Sequence, residues 1–165
     1  MASEGVRHAV WNGLLDVNRQ ARYYGVQSGR YNSWSTRLTV VFAMVGSADV
    51  ASVLAAADHR VSMALSLLIG ILAVVASVGD FAKKAAVLHS IGLECDHLAA
   101  EWEELWVGTH SGKLSDSTAL ARNQELMRRL IAATNRAGQS GVRENRKVNE
   151  KCWIEACVVL ENKYA

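Results

Sequence analysis

Between residues 38 and 79 the chain carries only three of its 34 charged side chains, Asp49, Asp58 and Arg60. A stretch so long and so poor in charge has to be covered, whether by lipid, by other chains or by the rest of the fold. Its first window, residues 38–57, holds fifteen apolar residues in twenty with one charge. As a helix it would be about 30 Å long, the thickness of a bilayer core. The second window, residues 61–79, has nineteen residues without any charge. The connector Asp58-His59-Arg60 is so short that the two helices must run antiparallel, and each satisfies its backbone hydrogen bonds internally, as lipid requires. The sequence therefore predicts a two-helix transmembrane hairpin. Arg30 and Arg37 precede it and Lys83 and Lys84 follow it, while the connector carries only Arg60, which predicts that both termini face the cytoplasm. The competing reading is a buried hairpin of a soluble fold, in which Asp49 and its small neighbours mark a helix break near Gly46-Ser47. Against it, a chain of 165 residues has little other apolar surface with which to wrap two helices that are apolar all round.

Small residues recur at every fourth position in both windows: Ser47, Ala51 and Ala55 in the first, Ser62, Ser66 and Gly70 in the second. Such faces permit close helix packing, either within one hairpin or between the hairpins of several subunits in a homo-oligomer. Asp49 lies near the middle of the first window, where an ionised carboxylate is costly and is normally hidden in a bundle or a wet cavity. It is thus the candidate pore-facing residue, with a protonated carboxyl bonded to a neighbouring serine as the alternative. Tyr31 and Trp34 sit where an interfacial aromatic belt would lie, and with Arg37, Lys83 and Lys84 they are the candidate anchors to a lipid bilayer. Packing against later helices accounts for the two aromatic residues equally well.

The flanks read as helical throughout. The chain has no proline, which favours long helices over turn-rich sheets. Residues 1–37 form one amphipathic helix with Val6, Val10, Leu14 and Val17 at helical spacing. The second window runs without a breaker into a helix reaching Val107, with Leu88, Cys95, Ala99, Trp102 and Trp106 near one face. Ser115 or Asp116 caps a further helix that ends near Arg136, its stripe formed by Leu120, Met127, Leu130, Ile131 and Thr134. Residues 138–141 break it, and a last helix from about Val142 carries Val148, Cys152, Ala156 and Val159. The expected architecture is all-α: an N-terminal amphipathic helix, a transmembrane hairpin at 38–57 and 61–79, and a cytoplasmic helical bundle over 80–165. Glu94, Asp96, Glu101, Glu103 and Glu104 make the first bundle helix acidic, whereas residues 122–151 carry eight Lys/Arg against three Glu. Charge pairing between helices explains this complementarity, with a basic docking site for lipid headgroups or RNA as the alternative. The basic cluster Arg143, Arg146 and Lys147 has no interleaved aromatics, so no nucleic-acid partner is expected.

Chemistry-bearing motifs are absent. There is no phosphate-cradling GxxxxGK[ST], no GxGxxG, no HExxH and no GxSxG, so no enzyme and no cofactor are expected. His89, Cys95 and His97 complete no recognised ligand set, and no metal is expected. The three cysteines, Cys95, Cys152 and Cys157, are an odd number without CxxC spacing and read as reduced thiols. The first thirty residues hold six charges and no apolar core of a secretory signal.

Trp11-x-x-Leu14, the Arg22-Tyr23-Tyr24 step, the hairpin, and GDFAKKAAVLHSIGLECDHLAAEWEEL at residues 79–105 together resemble the SLATT family, the SMODS and SLOG-associating two-TM effector group. The resemblance covers residues 6–160, and its most specific part is the end of the second window followed by Lys84-Ala85, His89 and residues 98–105. It implies a single SLATT-like domain over 1–165. It also implies a bacterial defence effector in the inner membrane, which oligomerises and opens pores when a sensor partner detects infection or a nucleotide signal. The resemblance carries no catalytic residues. The 165 residues are expected to carry no fused sensor domain, and the expectation is then a separate nucleotide-sensing or nucleotide-synthesising partner, or a signal that binds these helices directly. A phage holin or exclusion protein shares the hairpin design, and a soluble helical adaptor is the reading that needs no membrane.

Overall fold

The computed structural model describes residues 2–45 and 59–164, and among them it contains five helices and no strand. They are α1 (Glu4–Val45), α2 (His59–Gly79), α3 (Phe81–His110), α4 (Asp116–Gln139) and α5 (Arg146–Tyr164). The all-helical expectation holds. The transmembrane hairpin does not: no helix among the described residues is long and apolar enough to cross a membrane. Of the first window only residues 38–45, the end of α1, lie among the described residues. Helix α2 opens on His59 and Arg60, and its later residues are interrupted by Ser62, Ser66, Gly70 and Ser77.

A second correction falls at Asp80. The expected unbroken helix from the second window to Val107 is cut there, because Asp80 takes a left-handed φ of 43° that no α-helix accommodates. Helix α3 restarts at once, with Lys84 donating its N–H to the Asp80 carbonyl at 2.9 Å.

The chain divides into two compact units. One comprises Met1–Ser28 and Ala86–Ala165 and holds the principal core. The predicted stripe of α1 is there, with Val10, Leu14 and Val17 fully buried, and α3 adds Leu88, Ile91, Cys95, Leu98 and Trp102. The Trp102 indole is the largest of these buried side chains, and its Nε1–H donates to Asn123 Oδ1 at 2.8 Å. That bond satisfies a polar atom deep in the core. Gly13 makes room for it: a Cβ there would lie 2.6 Å from Trp102 Nε1 and 3.0 Å from Asn123 Oδ1.

Helix α4 is capped as expected, Ser115 accepting from the Thr118 N–H at 3.3 Å. Its buried face differs from the expected one. Ala119, Asn123, Leu126, Leu130, Ala133 and Ala137 point inward, whereas Leu120 and Ile131 are exposed. Small side chains let α4 approach closely, and large ones one position away are turned out. Helix α5 begins at Arg146 rather than near Val142, because Asn145 accepts from the Val148 N–H at 3.2 Å and caps it. Leu160 takes the core place expected of Val159.

The complementary charges of α3 and α4 meet within one chain. Arg136 pairs with Glu94, Arg129 with Glu101 at 2.8 Å, and Arg122 with Glu104 at 3.8 Å, a ladder along two antiparallel helices. Lys163 of α5 reaches Glu103 at 2.7 Å. These exposed pairs fix register more than they stabilise.

Candidate functional site

The second unit, Gly29–Ala85, contains the end of α1, all of α2 and the start of α3. Inside it Tyr31 lies against Phe81, ring centroids 6.1 Å apart, and Leu38, Phe42 and Phe81 border a cavity of about 350 Å³. Much of this unit's apolar surface is left uncovered. Val40, Val41 and Met44 are exposed on α1, and Met63, Leu67, Ile71, Val74 and Val75 on α2. At 100° per residue these five α2 residues fall within an arc of about 120°, so they form one stripe. Leu67 alone leaves 68% of its surface open. Contiguous exposed apolar surface of this kind marks an interaction site.

Of the residues singled out for an oligomer face, Ser66 and Gly70 are exposed on α2 beside this stripe. A Cβ at Gly70 would meet nothing within 4 Å, so the helix backbone is open there to close approach. Ser62 lies in the first turn of α2, while Ser47, Asp49 and Ala51 lie outside the described residues. The five candidate anchors all belong to this unit. Trp34 is 55% exposed with the Arg37 guanidinium 6.0 Å from its ring centroid, Tyr31 is half-buried on Phe81, Lys83 is exposed and Lys84 half-buried.

The bundle unit carries two cavities that local sequence patterns did not reveal. One, of about 480 Å³, is walled by Trp11, Trp106 and Tyr164, from α1, α3 and α5. The three rings lie 5.0 to 6.3 Å apart, tilted 50° to 84° to one another, and His110 leans on Trp106 at 5.4 Å. The other, of about 320 Å³, is polar and includes Arg19, Tyr23, Glu144 and Asn149. There the Tyr23 hydroxyl accepts the Asn145 N–H at 2.9 Å, tying α1 to the start of α5 across 122 residues of sequence. Burial pushes the neighbouring Tyr24 phenol up to about 12, so it stays protonated.

Metal chemistry has no assembled site among the described residues: none of their His, Cys, Asp and Glu side chains form a group of three or more able to hold an ion. His89 and His97 face outward, whereas Cys95 is in the core. Burial first, and then the carboxylates of Glu94 and Asp96, push the Cys95 thiol up to about 12, which leaves it a neutral core side chain. The other two thiols form no disulfide either. Comparison of the chain with protein-family models, with curated proteins and with solved structures gives no match.

Proposed function

We propose that this chain is a non-enzymatic helical assembly module that associates with further copies of itself through the exposed stripe of α2. In this reading self-association is the output of a bacterial conflict system under a separate sensor. The observation that carries it is the stripe of Met63, Leu67, Ile71, Val74 and Val75 with Ser66 and Gly70 beside it. A helix of this kind, apolar with small residues that admit a neighbouring backbone, is suited to packing on its own symmetry mate. The resemblance in residues 79–105 favours an effector that acts by assembling rather than by catalysis. Membrane crossing forms no part of this function, because no described helix is long and apolar enough for it.

Sedimentation velocity of the purified chain over a thousandfold concentration range tests the proposal. A concentration-dependent shift to discrete oligomers is expected, lost on Leu67→Asp. A monomer at every concentration, or a chain that co-sediments with phosphatidylglycerol vesicles in place of self-association, overturns it.

A further inference from the structure

The aromatic cavity of the bundle unit is bordered by three formal charges, Glu4, Arg7 and Glu161, and none of them makes an ion pair or side-chain hydrogen bond with a described residue. This sets them apart from the neighbouring acidic face, where Glu94, Glu101, Glu103 and Glu104 each hold a cation. Arg7 is half-buried, and its Nε is closed off from solvent without an acceptor. A guanidinium in that position presents its remaining N–H groups to an incoming carboxylate in a planar fork. Two carboxylates border the same cavity, Glu4 one turn before Arg7 on α1 and Glu161 on α5, and offer acceptors to an ammonium. The walls between them are the faces and edges of Trp11, Trp106 and Tyr164, which favour a flat apolar body and add cation–π attraction for an ammonium.

An anion alone meets two carboxylates there, and a cation alone meets Arg7. A molecule carrying both charges on an apolar body satisfies all three groups. We infer that this cavity binds an amino acid with an aromatic side chain, its carboxylate on Arg7, its ammonium between Glu4 and Glu161, and its ring against the indoles. The volume of about 480 Å³ accommodates a molecule of that size with room for water. The helices that meet here are far apart in sequence, so an occupant bridges the start of α1 to the ends of α3 and α5.

Titration of the full chain with L-phenylalanine, followed by intrinsic tryptophan fluorescence and by calorimetry, tests the inference. Saturable binding is expected, with phenylalaninamide, which lacks the carboxylate, and N-acetylphenylalanine, which lacks the ammonium, each about tenfold weaker. Arg7→Gln should weaken phenylalanine about tenfold and leave phenylalaninamide unchanged, and Glu161→Gln should do the converse for the ammonium. Neither substitution removes a partner of another described residue, so both variants should keep the parent's helical content. Absence of saturable binding overturns the inference. Equal binding of all three compounds overturns it as well, since that outcome reports aromatic adhesion without charge recognition.

Discussion

Gly13→Ala sets two well-known effects of opposite sign against each other. In a helix interior, alanine is favoured over glycine by about 1 kcal/mol, so on propensity alone the change stabilises α1. The new Cβ, however, would lie 2.6 Å from Trp102 Nε1 and 2.9 Å from Cε2, on an indole that is fully buried and held by Asn123 at 2.8 Å. A rigid ring cannot fold aside, so it must retreat by about 1 Å to restore ordinary contact, at an overpacking cost of about 1–3 kcal/mol. That retreat also stretches the indole hydrogen bond, and a buried donor left unsatisfied costs about 1–3 kcal/mol more. Subtracting the propensity gain leaves a net loss of about 1–5 kcal/mol. In a unit of this size the loss lowers the melting temperature by about 5 °C or more. Gly25→Ala is the control: it lies on the same helix, nothing stands within 4 Å of its added Cβ, and it should raise stability slightly. Both variants would be melted by circular dichroism and unfolded in urea. If Gly13→Ala proves as stable as Gly25→Ala, then α1 and α3 do not cross at Gly13 and Trp102, and the packing described for this unit is wrong.

Asn123→Ala leaves the Trp102 N–H buried without an acceptor and should cost about 1–3 kcal/mol in urea unfolding. Combined with Trp102→Phe it should cost less than the sum of the two, because the second change removes the stranded donor. Leu67→Asp should leave the melting temperature of the bundle unit unchanged, as Leu67 is mostly exposed. It should nonetheless weaken self-association about 30-fold or more, since roughly two-thirds of a leucine's burial energy is lost from each copy of a pair. Cys95 and Tyr24 both have raised pKa values of about 12, so the folded chain keeps protons that the unfolded chain releases near pH 9 to 10. Stability should therefore be full below pH 9 and fall as pH climbs toward 12, with Cys95→Ala flattening the slope of a melting-temperature series.

Local chemistry was legible in the sequence and tertiary choice was not. Ser115 could be read as a helix start because a serine oxygen three residues before a free N–H is a complete local device, and the structure closes it at 3.3 Å. The apolar periodicity of Val10, Leu14 and Val17 was equally self-contained. On α4 the same reasoning held at Leu130 and failed at Leu120 and Ile131, which it weighed by size. The inward face instead uses Ala119, Ala133 and Ala137, and Asn123, whose burial makes sense only once an indole 21 residues earlier supplies the donor. Asp80 follows Gly79 and is of a residue type that enters the left-handed region more readily than most, but only the folded chain shows that it does so here. The cluster of Trp11, Trp106 and Tyr164 had no signal at all, being assembled from three helices whose ends meet only after folding.

The charge-poor segment shows most sharply what composition can and cannot decide. Its scarcity of charge, with three of 34 charged residues between 38 and 79, establishes that apolar surface will need cover. It is silent on who provides the cover. The exposed stripe of α2 lets the magnitude be worked out. Five side chains left roughly half to two-thirds open, at about 1–2 kcal/mol each, offer about 5–10 kcal/mol from one helix and about twice that from a pair. Association costs about 4–15 kcal/mol in lost translational and rotational freedom, so most of that gain is cancelled. Pairing through this stripe therefore sits close to threshold at ordinary concentrations. In the proposed reading, a sensor that gathered several copies would raise their effective concentration to about the millimolar range and shift such an equilibrium without any new contact. A stripe twice as long would associate constitutively and one half as long never, so an exposed apolar face of this size suits assembly on demand.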